Sequence, residues 1–249
     1  YWDLEADFTT ASNESMSATL TAVDGRKIPS GKDFDSTTGK LKKPDLLQLD
    51  EAQARELAAR LQGCEFQVTN VEVKPFTERP RPPFTTSTLQ QEASRRLGFT
   101  ARRTMALAQQ LYEGIDVGNG GLVGLITYMR SDSTNVSPIA QNEARKFITQ
   151  QYGEKFLPKK APVYSKKAKG AQEAHEAIRP TSVMRTPKSI KAYLSRDQFR
   201  LYQLIWQRFV ASQMAAALYD TISVDVLGKT SEHQYELRAS GSTLRFPGF

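Results

Sequence analysis

Three polar side chains with complementary chemistry follow an apolar segment near the middle of the chain. Tyr128, Arg130 and Asp132 are spaced two residues apart, and residues two apart share a face of an extended chain. A tyrosine hydroxyl can act as a covalent nucleophile, although its ordinary pKa of about 10 means that it needs help near neutral pH. A guanidinium supplies such help by holding two phosphate oxygens. The set of side chains suits attack on a phosphodiester, but on spacing alone a structural tyrosine beside a solvated arginine is the favoured interpretation.

The segment that must position Tyr128 is short and apolar. It follows a Gly118–Gly120 turn, and residues 121–127 are glycine or apolar apart from Thr127. This pattern predicts a short buried strand that ends in a polar loop at Tyr128. Thr127, Met129 and Ser131 would then point away from the face that carries the three polar side chains.

Three segments of the sequence resemble one protein family. Residues 124–133 read Gly-Leu-Ile-Thr-Tyr-Met-Arg-Ser-Asp-Ser, which resembles the active-site signature GLITYMRTDS of the bacterial type IA DNA topoisomerases. Ser131 stands where the family more often has Thr, a change that keeps the hydroxyl. Residues 83–94 (Pro-Phe-Thr-Thr-Ser-Thr-Leu-Gln-Gln-Glu-Ala-Ser) and residues 175–181 (His-Glu-Ala-Ile-Arg-Pro-Thr) resemble the family in the same order. The residues of these segments are more similar to the topoisomerase I branch of the family than to the topoisomerase III branch.

The resemblance implies a reaction and assigns residues to it. Tyr128 would attack one DNA strand, become linked to the 5′-phosphate, hold the gap while another strand passes, and then reseal the break. Arg130 would be catalytic, and His175 and Arg179 would bind DNA phosphate near Tyr128. The implied activity is relaxation of negatively supercoiled DNA without ATP, and the implied partner is DNA, especially single-stranded or underwound DNA.

The resemblance also implies a cofactor that this chain does not bind. The family is understood to use Mg²⁺ held by a DxDxE pattern in a Toprim domain, and no DxDxE occurs here. We therefore expect no metal site in this chain, a Toprim domain elsewhere in the same polypeptide, and an isolated chain that is not competent for cleavage. No glycine-rich nucleotide loop is present either, because Gly118–Gly124 and Gly228 both lack the required spacing.

On the residues alone, His175 and Arg179 allow two interpretations. A protonated histidine can donate to phosphate, and Arg179 would share a face with His175 if their segment were helical. A hydrogen-bonded structural histidine is the alternative. A run of lysines at positions 159, 160, 166, 167 and 169 indicates either a solvated loop or a contact with the phosphate backbone.

Composition limits the classes of protein to which the chain can belong. The 249 residues carry a net charge of +7 and a single cysteine, Cys64, which excludes a disulfide framework. Residues 88–214 hold 20 Lys and Arg against 9 Asp and Glu, whereas the flanking residues hold 14 against 18. A basic middle segment suggests a nucleic-acid surface. The chain has no signal peptide and no long apolar run, and the resemblance implies DNA as the substrate, so we expect a cytoplasmic, nucleoid-associated protein. The start at Tyr1 suggests a piece of a longer one.

The two ends of the chain carry patterns typical of β-strands. Apolar and polar residues alternate over residues 1–8, 15–23, 66–73, 221–227 and 234–239, which predicts half-buried strands. The alternation slips by one residue within the third of these ranges, which suggests a β-bulge.

Helix signals dominate the middle. Capping residues and helical spacing predict helices that begin at Asp50, Ser87, Thr100, Ser137 and Ser195. The second and third of these are joined by a short glycine turn and resemble a helix-turn-helix unit, with an ordinary helical hairpin as the alternative. The side chains predicted to face inward from the third helix are Met105, Ala108, Leu111 and Tyr112.

These elements predict a multi-domain α and β architecture. Residues 1–87 and 215–249 would form a discontinuous β-rich domain, and residues 88–214 would form a mainly helical domain inserted into it. The proline-rich segment Arg79–Phe84 reads as the hinge between the two. The resemblance implies that the β-rich part is the arch of the type IA topoisomerase toroid. Two rivals remain at this stage: a non-catalytic single-stranded-DNA-binding module with a structural tyrosine, and a tyrosine recombinase.

Overall fold

The computed structural model describes residues 1–10, 12–118, 120–164 and 175–249, and the chain divides into two compact units. The first unit contains Tyr1–Phe76 and Tyr219–Arg245, and the second contains Thr77–Leu218 and Phe246–Phe249. Each unit encloses a hydrophobic cluster of its own. Over the described ranges, no helix combines the length and the apolar character needed to cross a membrane.

The regular elements alternate along the chain as strands, helices and strands. The strands of the described residues are β1 (Glu5–Thr9), β2 (Ser15–Val23), β3 (Arg26–Lys27), β4 (Glu65–Glu78), β5 (Ile115–Asp116), β6 (Leu122–Val123), β7 (Ala217–Lys229) and β8 (Gln234–Phe246). The helices are α1 (Glu51–Leu61), α2 (Thr86–Leu97), α3 (Ala101–Glu113), α4 (Pro138–Tyr152), α5 (Pro187–Ile190) and α6 (Arg196–Ser212). Short 3-10 turns cover Gly31–Asp33, Glu154–Phe156 and Lys191–Tyr193.

The first unit is a β-sheet with one helix. Its strand order is β1-β2-β8-β7-β4, and β3 pairs with β2 outside this path. The strands predicted at both ends of the chain are present, and the side chains of Ala18, Leu20 and Ala22 are buried as their alternation requires. The half burial predicted for residues 66–73 is wrong, because every residue of β4 is exposed. A register shift falls in β2 between Leu20 and Ala22, opposite β8.

Helix α1 closes the core of the first unit. Its predicted cap is present, because the Asp50 carboxylate accepts from the Gln53 amide at 2.8 Å. Leu57 and Leu61 belong to the same buried cluster as Tyr235, which is fully buried on β8. The helix therefore buries an apolar stripe against the sheet, as the spacing of its residues predicts.

The second unit is mainly helical, and its helices begin at side-chain caps. Thr100, Ser137 and Ser195 each accept a hydrogen bond from the amide three residues on, as predicted, and Pro138 follows Ser137 as the first helical residue. Between α2 and α3, Gly98 has a φ of 70°, a left-handed conformation that glycine adopts without strain. Residues 79–83 form neither helix nor strand, as their prolines require.

One predicted cap is wrong. Helix α2 begins at Thr86, and its cap is Thr85, which forms a capping box with Thr88. The helix begins earlier than predicted, where the backbone and hydroxyl of Thr86 are bound by a distant segment at Met129 and Ser131. Ser87 therefore lies inside the first turn.

The core of the second unit is formed around α6. Tyr202, Ile205 and Phe209 are buried, and the Trp206 ring packs edge-on against Phe147 of α4 at a centroid distance of 5.4 Å. The aromatic side chains of this helix are thus core, not a surface for stacking bases. Tyr112 of α3 departs from its prediction, because its side chain is 40% exposed and not inward.

Candidate active site

The segment that leads to Tyr128 is not the strand that its apolar character predicts. Only Leu122–Val123 pairs as a strand, in a two-stranded hairpin with Ile115–Asp116. Beyond it, the Leu125 amide donates to the Leu111 carbonyl at 2.7 Å and the Thr127 amide donates to the Arg179 carbonyl at 2.9 Å. The chain is held by segments far away in sequence, and a sequence pattern cannot reveal such partners.

The predicted alternation of side chains is nevertheless present. Met129 is 1% exposed and Ser131 is 6% exposed, whereas Tyr128 is 47% exposed. Arg130 and Asp132 are exposed as well. The phenol, the guanidinium and the carboxylate therefore stand at the surface, and the residues between them anchor the segment in the core.

Thr86 joins the Tyr128 segment to the start of α2. Its hydroxyl donates to the Met129 carbonyl at 2.8 Å and accepts from the Ser131 amide at 2.9 Å. Its own amide donates to the Ser131 carbonyl at 2.8 Å. These bonds fix the backbone on both sides of Arg130.

The third resembling segment, residues 175–181, binds the other side. The Thr127 hydroxyl donates to the Ala177 carbonyl at 2.7 Å and accepts from the Arg179 amide at 3.0 Å. The Ser131 hydroxyl donates to the Glu176 carbonyl at 2.5 Å. The three segments that resemble the topoisomerases are thus one hydrogen-bonded structure around Tyr128.

The hydrogen bonds of Ser131 explain why position 131 needs a hydroxyl. Besides its bond to Glu176, its Oγ accepts from the Ser133 amide at 3.2 Å. Either Ser or Thr can make both bonds, and an aliphatic residue can make neither.

We expect Ser131→Ala to destabilise the second unit by about 1–3 kcal/mol, because it leaves a part-buried carbonyl and an amide without partners. Urea denaturation followed by the fluorescence of Trp206, which is 8% exposed, measures this. Ser94→Ala, at an exposed position of α2, is the matched control and should change the free energy of unfolding by less than about 0.5 kcal/mol. Equal effects of the two substitutions would contradict the anchoring role of Ser131.

An aromatic neighbour restricts the Tyr128 ring. The rings of Tyr112 and Tyr128 meet edge to face, with centroids 5.4 Å apart and planes at 64°. Edge-to-face packing is favourable, and here it holds the ring of an exposed tyrosine without engaging its hydroxyl. The partial exposure of Tyr112 follows from this contact, because its ring covers Tyr128 at the surface and does not enter the core.

Arg130 and His175 are both open to a ligand. Both side chains are exposed, and within the described ranges no hydrogen bond or ion pair engages the guanidinium of Arg130 or the imidazole of His175. His175 lies two residues before Ala177, whose carbonyl accepts from the neighbour of Tyr128. The fold therefore brings His175 to the region of the tyrosine from 47 positions further along the sequence.

The Arg179 side chain, unlike those of Arg130 and His175, is mostly buried and already paired. Residues 175–179 do not form a helix, so the helical condition under which it would share a face with His175 is not met. Its side chain is 11% exposed, with one nitrogen 2.6 Å from the Glu176 carboxylate and another donating to the Pro180 carbonyl at 3.0 Å. The guanidinium braces its own segment in this structure, and its role toward DNA stays a prediction.

The Glu176 carboxylate connects this segment to α4. One of its oxygens accepts from the Ser137 amide at 2.7 Å and the other pairs with Arg179. Burial raises the pKa of the Glu176 carboxyl, but the bonds from Ser137 and the charge of Arg179 outweigh burial, so the pKa lies below its ordinary value. Glu176 is therefore a charged structural residue at neutral pH.

Several residues that build this site carry no chemical signal of their own. Thr86, Tyr112 and Glu176 were not predicted as site residues, and only the resemblance of their segments could have indicated the first and the third. The predicted lysines 166, 167 and 169 and residue Asn119 of the predicted turn lie outside the described residues. Within the described part of the chain, no group of three or more His, Cys, Asp or Glu could hold a metal ion.

The chain is similar to known proteins over its whole length. A family profile described as DNA topoisomerase matches residues 1–249. DNA topoisomerase 1 of Mycolicibacterium smegmatis is 49% identical over 258 residues, which cover 100% of this chain and 26% of that protein. The full-length topoisomerase I of Thermotoga maritima, in a monoclinic crystal form, superposes with a TM-score of 0.67 at 32% identity, over 99% of this chain and 35% of that one. The chain thus spans about a quarter to a third of the length of these relatives.

Proposed function

The chain belongs to the bacterial type IA DNA topoisomerase family, and on that premise we propose that it is the part of such an enzyme that carries the nucleophilic tyrosine. The observation that carries the proposal is the hydrogen-bonded structure built from the three resembling segments. It buries the residues around Tyr128 and leaves the phenol exposed beside an exposed guanidinium.

The proposed reaction is a reversible transesterification. The Tyr128 oxygen bonds to the phosphorus of one strand, the bond from phosphorus to the 3′ oxygen breaks, and the proton lost by the phenol is balanced by one gained at the new 3′-hydroxyl. Arg130 stabilises the negative charge that accumulates on the phosphate oxygens in the transition state. Because the phosphotyrosine ester preserves the energy of the broken bond, resealing needs no ATP.

His175 and Arg179 are proposed to bind DNA phosphate. The exposure of the His175 ring supports a direct contact, because a protonated imidazole can donate to a phosphate oxygen. Arg179 would contact DNA only by turning away from Glu176, and otherwise it acts by holding the His175 segment against Thr127.

Strand passage and the metal requirement belong to the complete polypeptide. We propose that Mg²⁺ is held by acidic residues of a Toprim domain outside this chain, which is consistent with the absence of the DxDxE pattern. The residues described here do not form a metal site, so no step of the proposed reaction is assigned to the ion. Relaxation of negatively supercoiled DNA, a preference for single-stranded or underwound DNA, and incompetence of the isolated chain are parts of the same proposal.

The domain assignment is also proposed. Residues 1–87 and 215–249 would be the β-rich arch, and residues 88–214 the inserted tyrosine-bearing domain. The division of the chain into a sheet-rich and a helical unit supports the assignment.

Covalent capture of a labelled strand tests the proposed function. A single-stranded oligonucleotide labelled at its 3′ end is incubated with Mg²⁺, the chain and a separately produced Toprim-containing portion, and the mixture is resolved in SDS. A 5′-phosphotyrosine retains the 3′ label on the protein, and a matched oligonucleotide labelled at its 5′ end leaves none. If the two portions associate and neither label is retained, the chain is a DNA-binding module with a structural tyrosine.

A further inference from the structure

We infer that a second surface of the helical unit, formed by five arginines of α2, α3 and α6, binds the phosphate backbone of DNA away from Tyr128. The inference rests on the proposed function only in taking DNA as the ligand, and it does not depend on the chemistry of Tyr128. The residues of this arginine patch are Arg95, Arg96, Arg103, Arg200 and Arg208.

The first half of the patch surrounds one buried carboxylate. The Glu92 side chain is 5% exposed, and its oxygens lie 2.6 Å from Arg95, 2.7 Å from Arg96 and 3.4 Å from Arg208. The guanidinium of Arg208 also stacks over the Phe84 ring at 4.3 Å. Three positive charges therefore meet a single negative one.

The second half is built around the Phe99 ring. The guanidinium groups of Arg103 and Arg200 lie 4.8 Å and 5.1 Å from the centroid of this ring. Asp197 pairs with Arg103 and lies 4.0 Å from Arg200. Two arginines thus share one carboxylate here.

The two halves form one surface. Arg200 donates to the Leu97 carbonyl at 3.2 Å, and Leu97 directly follows Arg96 at the end of α2. Five guanidinium groups share the two carboxylates of Glu92 and Asp197, which leaves a surplus of three positive charges where α2, α3 and α6 pack together. A face of this kind attracts a polyanion.

Folding alone does not account for this arrangement. Arg208, whose side chain is 14% exposed, is sufficient to neutralise the buried Glu92. Arg95 and Arg96 are each 64% exposed, so solvent screens the second and third positive charges that they bring to this one carboxylate. Each uses one nitrogen for Glu92 and presents the rest of its donors to solvent, already oriented in the planar geometry that matches phosphate oxygens.

Glu92 acts as a fixed counter-charge for the patch. Burial raises the pKa of its carboxyl, but the charges of Arg208, Arg95 and Arg96 outweigh burial, and the pKa lies below its ordinary value. The carboxylate therefore stays ionised at neutral pH and holds the arginine side chains in place. Holding them reduces the conformational entropy that binding a ligand would otherwise cost.

The patch is separate from the nucleophile. Arg103 and Tyr112 lie nine positions apart on α3, which corresponds to about 14 Å along the helix axis. Since Tyr112 packs on Tyr128, Arg103 lies at the other end of this helix. A strand whose phosphate reacts at Tyr128 would have to continue for about four nucleotides to cover that distance at B-form spacing.

Binding of a fluorescent single-stranded 30-mer to the chain, followed by anisotropy over a range of salt concentrations, tests the inference. We expect Arg95→Gln/Arg96→Gln to weaken binding by about tenfold at low salt and to reduce the slope of log K against log salt by about 1.4, the value for two lost phosphate contacts. Arg103→Gln/Arg200→Gln should act in the same direction. The first double variant keeps Arg208 beside Glu92, and in the second double variant Asp197 is 27% exposed. Neither therefore leaves a fully buried carboxylate without a partner, and Trp206 fluorescence verifies that both fold.

The matched control removes the same charge from the first unit. Lys40→Gln/Lys43→Gln, at exposed loop positions, should leave binding within about twofold of the unchanged chain. Equal losses of oligonucleotide affinity in the control and in the arginine double variants, or no loss in any of them, would overturn the inference. The patch would then bind an acidic protein partner or be solvated only. Tyr128→Phe should bind as the unchanged chain does. A chain that shows the arginine effect without covalent capture refutes the proposed chemistry alone, and capture without the arginine effect refutes the patch alone.

Discussion

Replacing Tyr128 with phenylalanine should abolish the covalent complex with DNA and leave the fold intact. The substitution removes only the hydroxyl, which forms no hydrogen bond within the described residues, and the ring can keep its contact with Tyr112. We therefore expect the free energy of unfolding to change by less than about 0.5 kcal/mol. The proposed reaction assigns the phosphate ester to this phenol, so captured label should fall to background.

The control for this prediction is Tyr112→Phe. It removes a phenol of similar exposure 5.4 Å away, measured between ring centroids, and it should retain capture because its ring still packs on Tyr128. Capture by Tyr128→Phe at the level of the unchanged chain would show that another residue is the nucleophile. Loss of capture in both variants, with folding retained, would indicate a chemical role for Tyr112 that the present account does not contain.

Replacing Arg130 with alanine should slow cleavage by about 10²- to 10³-fold, the usual cost of removing one donor that stabilises transition-state charge. Arg130→Lys should fall in between, because an ammonium keeps the charge but not the planar pair of donors. Since cleavage and resealing pass through the same transition state, both rates should fall by the same factor. The amount of covalent complex at equilibrium should therefore change little.

Rapid-quench measurements of capture and of its reversal in high salt distinguish this role from simple DNA binding. Lys188→Ala removes an exposed charge of the same unit and should leave both rates within about twofold. If Arg130→Ala lowers oligonucleotide affinity and leaves the rate at saturating DNA unchanged, Arg130 is a binding residue only. Unequal effects on cleavage and resealing would also contradict its assignment to the shared transition state.

The elements governed by local physical chemistry could be predicted from the sequence. The caps at Asp50, Thr100, Ser137 and Ser195 involve residues three positions apart, and each is present. The strands at the two ends follow from alternation in the same way. At α2 the cap lies two residues before the predicted one, where a distant segment binds Thr86.

The site itself depends on contacts that no local pattern contains. The strand predicted before Tyr128 is limited to Leu122–Val123, because Thr127 bonds to Arg179, 52 residues away, and Ser131 bonds to Thr86, 45 residues away. The inward and outward directions of the side chains were still predicted correctly, since any extended chain alternates. The partial exposure of Tyr112 could not be predicted from the sequence. Its partner Tyr128 lies beyond the hairpin of β5 and β6, and the sequence pattern does not give the geometry of that hairpin.

The most direct test of the central claim is the mass of the chain after incubation with a single-stranded oligonucleotide, Mg²⁺ and the Toprim-containing portion, followed by peptide mapping. The account predicts an adduct with the mass of the 5′-phosphorylated product strand less one water, on the peptide that contains Tyr128, present with the Toprim-containing portion and missing without it. An adduct on a different residue, or none when the two portions demonstrably associate, would contradict the claim that Tyr128 is the nucleophile.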